Sequence, residues 1–109
     1  MTNTAAWTYL ILAGRLEIVW ASSLKQTEGF TRLGPSVFVF AMMAVSFYFL
    51  SQAVRGLPVG ISYAVWTGIG AAGTAVAGMV FLGESVGLAK MGCIGLILAG
   101  VAGLKILSH

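Results

Sequence analysis

Four stretches of the chain, Trp7–Leu24, Pro35–Val54, Pro58–Leu82 and Val86–Leu107, are mostly apolar. Each runs for roughly the 20 residues that an α-helix needs to cross a hydrocarbon core about 30 Å thick. That pattern predicts an all-α membrane protein, with four transmembrane helices in a single domain over residues 1–109. Composition agrees: 59% of the residues are hydrophobic and 8% are charged, against about 25% charged in a soluble domain. A water-soluble chain this short buries only part of its surface and could not hide so much apolar material.

The links are short. Lys25-Gln26-Thr27-Glu28-Gly29 leads into Phe30-Thr31-Arg32-Leu33-Gly34, Arg55-Gly56-Leu57 forms the second link, and Gly83-Glu84-Ser85 the third. Pro35 and Pro58 stand where a first helical turn tolerates proline, because the N–H there has no partner. Glu84 is read as a surface charge at the positive end of the fourth helix dipole. The net charge of +3 is spread along the chain, without the basic patch and interleaved aromatics of a nucleic-acid binder. Cys93 is the only cysteine, so neither an intramolecular disulfide nor a CxxC metal pair can form, and it reads as a small packing residue. The start, Met1-Thr2-Asn3-Thr4, has no basic region of the secretory kind. No catalytic residue, metal site or cofactor is expected, and the chain is not read as an enzyme.

Lys/Arg-rich short loops normally remain cytoplasmic and set orientation. Here one side holds Arg55, Lys105 and the N-terminal amine, and the other holds Lys25, Arg32 and Lys90. This near balance permits insertion in both directions. No repeat relates the two halves, although many transporters build their opposed access routes from inverted repeats. A second copy in the opposite orientation would supply one, so an antiparallel, dual-topology dimer is expected.

The first run carries two opposite charges, Arg15 and Glu17. At about 100° per residue they project from nearly opposite faces and are not an intrahelical pair. The face of Glu17 carries Ala13, Gly14, Trp20, Ala21 and Leu24, whose small members let another helix approach. The face of Arg15 carries Ile11, Leu12, Ile18 and Val19. A charge mid-membrane costs about 2.5–3.5 kcal/mol on insertion scales, and such residues are functional by default. Glu17 is therefore the candidate that exchanges a proton for a cation. The plainer reading is a protonated carboxyl that only holds helices together. Arg15 is expected to snorkel, with Trp7 and Tyr9 marking an interfacial belt about 9–12 Å away.

In the third run Tyr63, Trp66, Gly70, Gly73 and Ala77 share one face. Gly68 and Gly70 read as a hinge or as close packing. Ser46 sits mid-span in the second run, where a serine ordinarily bonds its own helix backbone. Gly92, Gly95, Ala99 and Gly103 form a small-residue ridge on the fourth run, expected to make the dimer contact.

With these residues in view, the sequence resembles the small multidrug resistance transporters over essentially its whole length, and within them the guanidinium-exporter subtype. The resemblance rests on "LEIVWASSLK" (Leu16–Lys25), "GFTRLGPS" (Gly29–Ser36), "LPVGISYAVWTGIGAAG" (Leu57–Gly73), "LGES" (Leu82–Ser85) and "GLK" (Gly103–Lys105). It implies an antiparallel homodimer in a bacterial inner membrane, with one site shared by two copies of Glu17. Around them the family pattern places Gly14, Trp20, Ser46, Tyr63 and Trp66. Arg15 departs from that pattern, which has an apolar residue there; the family also contains heterodimers of paralogues, so both assemblies stay open.

Guanidinium is planar, and its edges match carboxylates in bidentate fashion. Ser46, Trp66 and Tyr63 are expected to orient the carboxylates by hydrogen bonds, with Trp20 and Tyr63 as aromatic walls. The expected activity is proton-coupled export of guanidinium and small substituted guanidines such as guanylurea. The competing readings are a broad exporter of quaternary ammonium cations, a non-transporting assembly subunit and a passive cation channel.

Overall fold

The computed structural model describes residues 2–107. Four helices follow in chain order: α1 (Asn3–Ser22), α2 (Leu33–Ala53), α3 (Val59–Phe81) and α4 (Leu88–Leu107). A single 3-10 turn, Leu24–Thr27, lies between α1 and α2. By length and composition α2, α3 and α4 can each cross a membrane. α1 is as long, but Arg15 and Glu17 lower its hydropathy.

Local chemistry sets the helix ends. α1 begins four residues before its apolar run, because the Thr2 hydroxyl accepts the Ala5 N–H at 3.1 Å and caps the polar first turn. α2 also starts early, at Leu33, which leaves Pro35 within the first turn, where backbone N–H groups have no intrahelical partner. The link before it is pinned by Thr27, 1% exposed. Its hydroxyl donates to the Leu24 carbonyl at 2.7 Å and accepts the Phe30 N–H at 3.2 Å. Glu28, Gly29 and Phe30 then pass through the left-handed region. Gly83, at φ +70°, ends α3, and α4 resumes only at Leu88.

Glu84 therefore lies outside the first turn of α4. Its N–H donates to the Gly78 carbonyl at 3.1 Å, and its carboxylate folds back against Gly78. This corrects the expected placement at the α4 dipole: the left-handed turn at Gly83 aims the side chain at α3 instead.

In lipid no hydrophobic force draws helices together, so close packing must do it. α1 packs along both α2 and α3, while α2 and α3 barely meet. A Cβ on Gly14 would meet Ile69 Cγ2 at 2.8 Å, and one on Gly73 would overlap Ile18. The core comprises Ala6, Trp7, Leu10, Ala13, Ala53, Leu57, Val65 and Trp66, at the end where α1 starts. α4 packs chiefly on α3, with Val101 seated on Gly68. Only its last turns reach the core, through Val101 and Leu104, and Lys105 Nζ stands 4.9 Å above the Trp7 ring. Ile94 is the one buried residue on α4. The chain is a slab of 41 × 35 × 16 Å.

Candidate functional site

Glu17 lies near the middle of the α1–α3 seam and is half-buried. Its carboxyl rests against Gly70, where any Cβ would overlap it. Gly14, one turn earlier, permits the approach by receiving Ile69. Both glycines are thus required by contact. α3 runs as one helix through Gly68 and Gly70, with each of them at a close approach rather than a bend.

A buried latch lies one turn before Glu17. Ser46 Oγ donates to the Ala13 carbonyl at 2.8 Å and accepts the Trp66 indole N–H at 3.0 Å. Ser46 is fully buried and Trp66 is 5% exposed, so α1, α2 and α3 are joined at one point. Within this chain, then, neither Ser46 nor Trp66 donates to the Glu17 carboxylate. A serine hydroxyl has one proton, and the Ala13 carbonyl takes it; the indole has one N–H, and Ser46 takes that. Nor does Ser46 bond its own helix. Its partner is a backbone carbonyl of α1, which no side-chain pattern could have revealed.

Tyr63 is exposed, its ring 5.7 Å from that of Trp66, and the Phe47 ring stands 5.2 Å from that of Trp66. Sequence reasoning missed Phe47; the signal was its place beside Ser46 in "SFYF". Trp20 is half-buried with an enclosed Nε1 that meets no acceptor. No hydrogen bond reaches the Glu17 carboxylate among the described residues, and its Oε1 is enclosed without a partner. Tyr63, expected as a donor, and Trp20, expected as an aromatic wall, make no hydrogen bond with it in this chain.

Arg15 is exposed on the opposite face, with Ile11, Leu12 and Val19 beside it. The interfacial belt expected from Trp7 is corrected: Trp7 is 4% exposed, packed into the core beneath Lys105. Because α1 starts at Asn3, Arg15 lies about 18 Å along it at ~1.5 Å per residue, deeper than a Trp7 belt implied.

Among the described residues no group of three or more His, Cys, Asp or Glu could hold a metal ion. A recess of about 440 Å³ opens between α3 and the start of α4, bordered by Met79, Glu84, Lys90 and Ile94, away from Glu17. On α4, Gly92, Gly95 and Ala99 are exposed and Gly103 half-exposed. A Cβ on Gly92, Gly95 or Gly103 would meet nothing within 4 Å.

A bundle of long apolar helices around one intramembrane carboxylate defines a multi-pass membrane protein. The family profile described as Small Multidrug Resistance protein matches residues 5–97, and the chain belongs to that family of four-helix membrane proteins. It is similar to the guanidinium exporter of Yersinia pseudotuberculosis, 53% identical over 103 residues, covering 94% of this chain and 99% of that one. The guanidinium exporters of Citrobacter freundii and Salmonella typhimurium are each 55% identical over 104 residues, covering 95% of this chain and 99% of theirs.

Proposed function

We propose that this chain exports guanidinium and small singly substituted guanidines, guanylurea among them, across the cytoplasmic membrane in exchange for protons. The working unit is an antiparallel pair of copies. The observation that carries the reading is Glu17: a carboxyl held mid-membrane against Gly70, to which the chain's own side chains donate nothing. A carboxylate so placed needs its donors from elsewhere, and a guanidinium edge or a proton supplies them. The names of relatives more than half identical along nearly their full length point to the same cation.

Two opposed Glu17 side chains hold a planar cation from two edges, while the aromatic faces of Trp20, Phe47 and Tyr63 shield it. Protons displace the cation from the same oxygens, and the pair titrates as one unit. Alternating access then follows from exchange of conformations between the two copies. A tetraalkylammonium ion has no N–H to give and gains little from such carboxylates.

Glu17→Gln keeps the shape and removes the charge. In proteoliposomes it is expected to abolish guanidinium-driven proton movement while the protein still purifies in the oligomeric state of the wild type. In the wild type, guanidinium affinity is expected to fall as pH falls through the titration of the pair, because the cation needs the deprotonated oxygens. Coupled transport by Glu17→Gln, or affinity independent of pH, would refute the proposal.

A further inference from the structure

The recess between α3 and the start of α4 lies outside the Glu17 site, and its lining is of two kinds. At the mouth stand Glu84, Ser85 and Lys90, all exposed. Deeper, towards Ala75 on α3 and Ile94 on α4, the walls are apolar. Those two residues are each six positions from the nearby helix end, Phe81 or Leu88. The recess therefore runs about 9 Å into the helical layer at ~1.5 Å per residue. Its volume of about 440 Å³ lies within the range of small-molecule sites, about 300–1,000 Å³.

The two charges at the mouth are not paired with each other. Lys90 Nζ donates to the Ser85 hydroxyl at 2.5 Å, and no hydrogen bond joins it to Glu84 among the described residues. The Glu84 carboxylate lies against Gly78, placed there by the bond from its own N–H to the Gly78 carbonyl. A cation and an anion thus border one opening above an apolar floor, where the third link joins two membrane-length helices. In the antiparallel pair proposed above, the second copy brings Arg55 and Lys105 to this end and no acidic side chain. That would answer Glu84 and leave Lys90 without a counter-ion. A phospholipid headgroup answers both.

We propose that this recess holds one phospholipid whose headgroup carries a primary ammonium beside its phosphate, of the phosphatidylethanolamine kind. The phosphate oxygens accept from Lys90, the headgroup ammonium donates to the Glu84 carboxylate, and an acyl chain runs down past Met79 and Ile94. Both polar pairs are charge-assisted hydrogen bonds, the stronger kind. Lys90 also lies in the first turn of α4, which holds no acidic residue, so the helix dipole favours the phosphate at the same place. A choline headgroup has the same phosphate but no N–H for Glu84, and a glycerol headgroup brings no cation at all. The recess therefore selects for the ammonium as well as the phosphate. Glu17 takes no part in this binding, which stands or falls apart from the exchange of proton for cation.

Cys93 lines the recess, is exposed and is the only cysteine, so the rate of its alkylation reports occupancy. The test is N-ethylmaleimide labelling of the purified full-length protein in detergent with phospholipid added, read by mass spectrometry. Phosphatidylethanolamine is expected to slow labelling about tenfold once it exceeds its dissociation constant about tenfold. Phosphatidylcholine with the same chains, about tenfold weaker for want of the ammonium bond, slows it by no more than about twofold. Glu84→Ala, in an exposed turn, brings the two lipids level. Lys90→Ala weakens protection by both, and Lys90→Arg restores it. Equal protection by the two lipids in the wild type, a preference that survives Glu84→Ala, or full protection in Lys90→Ala would each overturn the inference. So would protection by soluble phosphoethanolamine equal to that of the lipid, which marks a solute site with no place for an acyl chain.

Discussion

Ser46 has a single hydroxyl proton, and where it goes decides what the residue does. It goes to the Ala13 carbonyl, and the lone pairs left over accept Trp66. Ser46→Ala therefore orphans a buried indole N–H and frees a buried carbonyl, a loss of about 1–3 kcal/mol. The expected outcome is a lower melting temperature in detergent with guanidinium affinity changed less than the stability. A loss of affinity at unchanged melting temperature would instead mean that Ser46 abandons Ala13 for Glu17 when the cation binds. Gly70 illustrates the same scale from the opposite direction: the residue matters for the atom it lacks, because the Glu17 carboxyl occupies that space.

Among the elements, α4 differs from the other three. Its neighbours bury one of its residues, and the ridge of Gly92, Gly95 and Gly103 offers a smooth face that nothing in the same chain uses. Gly95→Leu adds bulk there without touching α1, α2 or α3. It is expected to leave helical content intact and to shift the protein toward monomer in crosslinking and size-exclusion experiments; an unchanged dimer would place the contact elsewhere. The elements were also where the sequence was most legible. Apolar runs of membrane length report helices directly, because lipid demands both properties at once. Their ends were less legible: a polar cap at Thr2 and the left-handed turn at Gly83 moved boundaries that hydropathy alone sets by composition. Glu17 stood out as a charge in an apolar run, whereas the partnership of Ser46 with Ala13 was hidden because a carbonyl is common to every residue. Trp7 misled because an aromatic near a helix start can face lipid or core, and the helix-facing direction is fixed only by tertiary packing.

At the scale of the whole molecule, the cations other than Arg15 fall near helix ends in two nearly balanced groups, Arg55 and Lys105 against Lys25, Arg32 and Lys90. Adding two lysines to one end is expected to bias insertion one way and to abolish export, since both copies then point alike. Co-expression with a copy biased the other way should restore it. Full export by either biased copy alone would exclude an antiparallel pair. The latch at Ser46 has a mechanical corollary as well. It joins three helices at a depth one turn from the acid, whereas α4 is held to them through Ile94, Val101 and Lys105, with the recess beside Met79 opening at its starting end. Anything that displaces the acid must therefore carry the serine and the indole along with it, because one hydroxyl ties all three helices at that depth.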